Sequence, residues 1–181
     1  MKGARLFVLG GAIILLGAIA LLLDWRFGSA PPQRGFEEGV SSAALMAVSF
    51  PDLTGQEQPL GQWQGKLLII NFWATWCAPC REEMPAFNRL HKKYASKGLQ
   101  IVGIAVENAD KVTQFANEIG VSYILLAAPL AGTELSNRLG NRRGYLPHTV
   151  VIAPDGSQIF SKIGIIDEKE FEAIIIKNLP K

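Results

Sequence analysis

Residues 71–85 read NFWATWCAPCREEMP and hold both cysteines of this 181-residue chain. Ahead of them, Leu67–Trp73 (LLIINFW) is an almost unbroken apolar run, the pattern of a strand buried on both faces. Behind them, Ala78 to about Ser96 is helical in character. Phe87, Leu90 and Tyr94 share one face of that helix, and Pro85 inside it is an expected kink. The cysteine pair therefore falls where a buried strand feeds a helix.

A C-x-x-C pair has three physical readings: half of a zinc site, a structural disulfide or a redox couple. Zinc needs two further ligands. The other candidates are His91 and His148, far apart in sequence, and no third cysteine exists. A structural disulfide gains most from closing a long loop, and this loop is as short as they come. The redox reading explains the placement. Cys77 would stand at the helix N-terminus, where unpaired N–H groups and the helix dipole favour a thiolate, the attacking species. Cys80, one turn on and more covered, is in reach to resolve a mixed disulfide. Pro79 stiffens the turn. Trp73 and Trp76 are expected to shield the pair while leaving one sulfur open, although Trp73 reads equally well as core.

Outward from the pair, Leu99–Val106 (LQIVGIAV) reads as a second buried strand and Asp110–Ile119 as a helix packing Val112, Phe115, Ala116 and Ile119. Ser122–Leu126 is a short strand and Thr133–Leu139 a short helix. His148–Ala153 turns through Pro154-Asp155-Gly156 into Gln158–Ile163, a hairpin. Asp167 caps a last helix with Phe171, Ile174 and Ile175 inward. Upstream, Met46–Phe50 is a strand candidate, and Leu60–Trp63 is a second strand or a turn. This order predicts an α/β fold with a central mixed sheet flanked by helices.

The N-terminus, MKGARLFVLGGAIILLGAIALLLDWRFGSAPP, contains 18 uncharged residues from Leu6 to Leu23. That reaches transmembrane length. Lys2 and Arg5 before it place the N-terminus in the cytoplasm and the rest outside. A cleaved signal peptide is the alternative, with Gly28-Ser29-Ala30 as the better-placed cleavage site. Either way the domain is exported, to a compartment where disulfides persist. The expected organisation is an anchor or signal segment over 1–23, a Gly/Pro/Ser-containing linker over 24–44 and a folded domain over 45–181. Net charge is +2, from 18 basic and 16 acidic residues, and Lys2 and Arg5 in the arm account for the excess. A nucleic-acid partner normally needs a concentrated basic face, so none is expected. The Arg142-Arg143 doublet reads as a solvated loop.

FWATWCAPC resembles the active site of the thioredoxin superfamily. The continuation REEMP, the N-terminal anchor and the segment around 107–126 resemble its exported, membrane-tethered branch, the TlpA/ResA-like thiol–disulfide oxidoreductases. The resemblance covers about residues 45–181 and implies a thioredoxin-like fold. It implies that GYLPHTVVI carries a cis-proline at Pro147, and that the Leu146 backbone pairs with a bound substrate strand beside Trp76. Cytoplasmic relatives carry a buried Asp where this chain has Asn71, which cannot accept a proton. Glu83 matches the C-x-P-C-R-x-E position and is expected to take the Cys80 proton or raise nearby thiol pKa values. A solvated helix carboxylate is the alternative. Glu107 reads either as an acid near the site or as a plain loop carboxylate, and His148 as a strand residue without an imposed role.

The expected activity is reduction of disulfides in exported proteins, with a membrane thiol donor recharging the pair, in cytochrome c or oxidase maturation or on general periplasmic clients. No cofactor and no metal enter this reading. Ala78-Pro79 adds no positive charge between the cysteines, and Glu83 opposes thiolate formation. Both favour a reductant over an oxidant. The rivals are a Cu(I) chaperone using the two thiolates, a disulfide oxidant, a peroxidase and a binding module with an inert disulfide. The peroxidase pattern P-x-x-x-T-x-x-C fails, because Asn71 stands four residues before Thr75.

Overall fold

The computed structural model describes residues 40–180. The expected anchor over 1–23 lies outside the described residues, as does the linker up to residue 39. Among the described residues no helix is long and apolar enough to cross a membrane.

The chain forms α1 (Ser42–Met46), a small antiparallel pair of β1 (Ser49–Pro51) and β2 (Glu57–Pro59), and a 3-10 turn over Leu60–Trp63. Then follow β3 (Leu67–Trp73), α2 (Ala78–Tyr94), β4 (Leu99–Ala105), α3 (Ala109–Ile119), β5 (Ile124–Ala127), α4 (Pro129–Arg138), β6 (His148–Ile152), β7 (Gln158–Ile163) and α5 (Glu168–Asn178). The large sheet has the order β5-β4-β3-β6-β7. Its β3, β4 and β5 are parallel, while β6 pairs antiparallel with both β3 and β7, so the sheet is mixed as expected. A single bridge from Asp52 to Leu126 ties the small hairpin to the β5 edge.

All seven residues of β3 are buried. Because successive side chains alternate in direction, they feed two separate cores. Leu67, Ile69 and Trp73 join Met84, Phe87, Leu90 and Tyr94 of α2, Val112 of α3 and Phe171 and Ile175 of α5. Leu68, Ile70 and Phe72 join Leu45 of α1, Trp63, Leu135 of α4 and Val150 and Ile152 of β6 on the opposite face. Phe87 and Phe171 lock α2 to α5 with ring centroids 5.0 Å apart. Exposed pairs Arg89–Glu168 and Lys93–Glu172 flank that contact and add little to it.

Several boundaries differ from the sequence reading. The strand expected over Met46–Phe50 is shifted towards the C-terminus: α1 ends at Met46 and β1 covers Ser49–Pro51. Ser41 decides this by capping α1, accepting the Ala44 N–H at 3.2 Å, while Leu45 is buried. The segment before Leu45 therefore already belongs to α1. Leu60–Trp63 is a turn rather than a strand, and β5 starts two residues late, at Ile124. The helix expected from Thr133 starts at Pro129, in the first turn, where a missing N–H costs nothing. Ile119 is exposed rather than packed, because α3 is already closing onto Gly120. The helix α2 runs through Pro85 as one element.

Gly103 occupies the centre of β4, between Asn71 of β3 and Leu125 of β5. A Cβ there would meet Leu125 Cδ2 at 2.7 Å, Trp73 Nε1 at 3.1 Å and the Tyr123 ring at 3.2 Å. Glycine is what lets Trp73 and Tyr123 close on the sheet beneath α2. Gly103→Ala should lower stability by about 1–3 kcal/mol through overpacking. Urea unfolding with an unchanged m value would show it, and a wild-type midpoint would contradict it.

Candidate active site

Cys77 is the N-cap of α2. Its backbone is extended, and its Sγ accepts the Cys80 N–H at 3.3 Å, one of the donors the helix cannot satisfy itself. Ala78 and Pro79 occupy the first turn. Cys77 and Cys80 are joined as a disulfide. Both belong to the same buried cluster as Trp73, and Cys80 is wholly covered while Cys77 keeps a small exposed area. Trp73 is thus a core residue, wholly buried at the end of β3. Trp76 is 68% exposed and stands out to solvent, so the shielding expected of it is not its position here.

The loop between β3 and α2 is held from three sides. The Glu107 carboxylate accepts both the Thr75 N–H and the Thr75 hydroxyl, the latter at 3.0 Å. Arg81 Nη1 donates to the Thr75 carbonyl at 3.2 Å, and the Cys77 N–H donates to the Ala74 carbonyl at 3.1 Å. Glu107 therefore fixes the loop that presents Cys77, a role that neither sequence reading of it foresaw. The signal was topological. Trp73 and Ala105 lie opposite each other in the parallel pair, which brings the residues just after the two strands to one end of the sheet.

Below α2, Glu83 is buried on the turn after Cys80 rather than solvated. Residues three apart on a helix share a face. Asn71 Nδ2 donates to Glu83 Oε1 at 2.8 Å and to Thr149 Oγ1 at 3.0 Å. Burial pushes the Glu83 carboxyl up to about 7, against the lowering effects of Asn71, the Ile166 backbone and Lys162. Among the described residues its Oε2 makes no hydrogen bond of normal geometry, although the Ile166 backbone comes close enough to lower the pKa, and Asn71 Oδ1, Trp73 Nε1 and the Tyr123 hydroxyl have no partner. Burial raises the Tyr123 phenol pKa, and the Glu83 charge adds to that. Tyr123 packs on Phe87 and His91 and was not singled out in the sequence.

The Leu146–Pro147 peptide is cis, as the resemblance implied. Phe72 pairs with His148, so the residues before His148 lie alongside those following Phe72. The same end of the sheet carries three exposed apolar side chains: Trp76, Leu130 (86% exposed) at the start of α4, and Tyr145 (57% exposed). Leu146 is half-buried between the two cores. His148 faces away from the cysteines. It stacks on Phe72 with centroids 5.4 Å apart and is held between Ser136 and Ser161. Burial lowers its pKa to about 4. His91 is half-buried, edge-on to Tyr123. Neither histidine joins the cysteines in a ligand cluster, and no group of three His, Cys, Asp or Glu side chains comes together among the described residues.

A disulfide-linked C-x-x-C at a helix N-cap, on a mixed sheet with a cis-proline beside it, defines a thioredoxin-like protein. Residues 42–157 match the AhpC/TSA family, and the chain belongs to that family. The chain is 33% identical to the thiol-disulfide oxidoreductase ResA of Bacillus anthracis over 131 residues, 71% of this chain and 73% of that one. The ResA of Geobacillus kaustophilus is 40% identical over 128 residues, 68% of this chain and 70% of that one. The ResA of Bacillus cereus strain ATCC 10987 aligns over 99% of both chains at 32% identity. A thioredoxin-family thiol:disulfide interchange protein from Chlorobium tepidum superimposes with a TM-score of 0.66 at 28% identity, covering 72% of this chain and 92% of that one. The chain is a thiol–disulfide oxidoreductase.

Glu83 gives the site a pH signature. Its folded pKa lies above the unfolded value, so the folded state holds the extra proton. That stabilisation is fully present below about 4.5 and is lost as pH rises through 7. Glu83→Gln removes the ionisation. With the disulfide intact, the stability of the variant relative to the wild type should grow by roughly 2–3 kcal/mol between pH 5 and 8. Taking the difference cancels His148, whose depressed pKa works in the opposite direction between 6.5 and about 4. A pH-independent difference would mean that Glu83 is not the buried titrating group.

Proposed function

We propose that this chain is an exported, membrane-tethered reductase of protein disulfides, with Cys77 as nucleophile and Cys80 as resolving thiol. The observation that carries this reading is the placement of Cys77. It caps α2, its Sγ receives a helix N–H, and it is the less covered cysteine of the pair. The Cys77 thiolate attacks one sulfur of a substrate disulfide, forming a Cys77–substrate bond and releasing the other sulfur as thiolate. Cys80 then attacks Cys77 Sγ. The mixed disulfide breaks, the second substrate thiolate leaves and the Cys77–Cys80 bond forms. The substrate gains two electrons and the pair loses two. The Cys80 proton passes to Glu83, whose pKa near 7 and incompletely satisfied carboxyl suit an acceptor working at neutral pH. The departing substrate thiolates take their protons from solvent. A thiol donor in the membrane returns two electrons for the next cycle.

Direction follows from electrostatics. A strong oxidant stabilises its thiolate heavily. Here Ala78 and Pro79 supply no positive charge, and an ionised Glu83 works against a neighbouring thiolate. The client is a polypeptide, recognised by Trp76 and the Leu146–Pro147 segment. The exposed side chains of Trp76, Leu130 and Tyr145 give that end of the sheet an apolar rim suited to one. Residues 6–23 anchor the chain, which places the domain on the outer side of the cytoplasmic membrane. Cysteines of apocytochrome c and of oxidase copper sites are the clients that fit such a location.

The potential of the full-length chain in detergent, measured against defined thiol buffers, tests the direction. A value near or below roughly −220 mV is expected, and one near about −120 mV would make the protein an oxidant. Cys80→Ser should trap mixed disulfides through Cys77 in native membranes, and Cys77→Ser should trap none. Equal trapping by both variants, or by neither, would overturn the assignment of roles.

A further inference from the structure

The strand β6 begins immediately after Pro147, and its first two residues point to opposite faces of the sheet. Thr149 joins Asn71 and Glu83 under α2. His148 enters the other core, where the mechanism makes no use of it. A second buried polar cluster surrounds it. Ser136 Oγ of α4 lies 2.9 Å from His148 Nδ1, and Ser161 Oγ of β7 lies 3.0 Å from Nε2. Asn141 Nδ2 donates to Ser136 Oγ at 3.0 Å and to the Tyr145 carbonyl at 2.8 Å, while Asn141 Oδ1 accepts the Tyr145 N–H at 3.1 Å. Ser136, Asn141 and His148 are all buried.

The hydrogen-bond roles close without conflict for one neutral tautomer. Ser136 accepts from Asn141 and donates its own proton to Nδ1, and Nε2–H donates to Ser161. The imidazole is the link that joins α4, β7 and, through Ser136 and Asn141, the segment before β6. That segment is pinned on both sides of one residue. Both backbone groups of Tyr145 are taken by Asn141, and the Pro147 carbonyl accepts the Gly164 N–H at 2.8 Å. Between them stands Leu146, ahead of the β6 ladder, which starts at His148. Among the described residues its N–H and carbonyl have no backbone partner.

We propose that His148, through Ser136 and Asn141, is a positioning residue that holds Tyr145–Pro147 as a preformed edge on which an extended polypeptide client pairs. This rests on the reading above that Leu146 meets the substrate strand. Main-chain pairing gives such an edge its affinity, and prior ordering spares the entropy of fixing it on binding. A small disulfide has no strand to pair and needs only Cys77. The unit therefore selects for polypeptide over small disulfides without touching either.

The test compares two substrates on the full-length chain in detergent, with dithiothreitol as electron source. One is a short peptide containing a single disulfide, and the other is 2-hydroxyethyl disulfide. His148→Phe keeps the ring stacked on Phe72 but removes both nitrogens. Ser136→Ala cuts the same link with less disturbance and carries the test if the first variant does not fold. KM for the peptide should rise about tenfold in each, with kcat, the small-disulfide kinetics and the redox potential unchanged. Pro147→Ala separates the two ways of failing. If it raises the peptide KM while neither network variant does, the segment docks the client but His148 does not position it. If it too leaves the peptide KM unchanged, the docking reading fails and takes this inference with it. Equal loss on both substrates in the network variants would make their role purely structural and overturn the proposal.

Discussion

At the end of β3 the chain must stop burying both faces and present a reactive sulfur. The unpaired N–H groups at the start of α2 meet that demand. A residue at the N-cap has to offer them an acceptor, and Cys77 offers sulfur. The geometry that completes the helix therefore also favours the charged form of Cys77, the proposed nucleophile. The rest of the site supports this junction. Glu107 and Arg81 hold Thr75 just upstream, and Trp73 closes the space beneath. Gly103 leaves room for that indole.

Two buried polar clusters flank the sheet at this end, and they titrate in opposite senses. Under α2, burial makes Glu83 hold its proton to near neutrality. On the far face, burial makes His148 shed its proton well below neutrality. Both therefore favour the neutral form, as desolvation requires. They differ in how completely their partners satisfy them. Both ring nitrogens of His148 are paired with serines, and such a network rigidifies what it joins. Among the described residues Glu83 keeps one oxygen without a hydrogen bond of normal geometry, and Asn71, Trp73 and Tyr123 one polar atom each. Incompletely satisfied polar groups in a core are costly to stability. Their gathering beneath a dithiol fits the proposed need for a proton acceptor there better than a need for rigidity.

The part of the fold legible in the sequence was the part with long apolar periods: β3, α2, β4, the β6–β7 hairpin and the capped α5. Short elements were misplaced where one polar contact outweighed the pattern. Ser41 capped a helix over Ser42–Met46 that pushed the first strand back to Ser49, and Pro129 started α4 earlier than the apolar residues suggested. At the site, the cysteine pair was legible because its spacing is local, and the cis-proline at Pro147 was legible only through the family resemblance. Glu83 was legible only through resemblance, since one carboxylate on a helix looks like any other until its burial is known. Tyr123, Asn141 and the use of His148 were not legible at all. Their partners lie on other elements, as the Glu107–Thr75 contact across 32 residues does. One sequence carries no record of which distant residues face each other.

Strand alternation finally explains how one short stretch serves two purposes. Pro147 stands beside the cysteines because β6 runs antiparallel to β3, with His148 opposite Phe72. The next two side chains must diverge. Thr149 completes the polar pair under the reactive helix, and His148 ties the adjoining backbone to α4 and β7. A register slip of one residue would exchange them. It would put an imidazole beside Glu83 and a hydroxyl too short to join Ser136 to Ser161. The apolar neighbours Val150, Val151 and Ile152, divided between the two cores, resist that slip along the length of the strand. Hydrophobic patterning, which carries no chemistry of its own, thus keeps the proposed proton acceptor and the proposed docking edge in register with the same pair of cysteines.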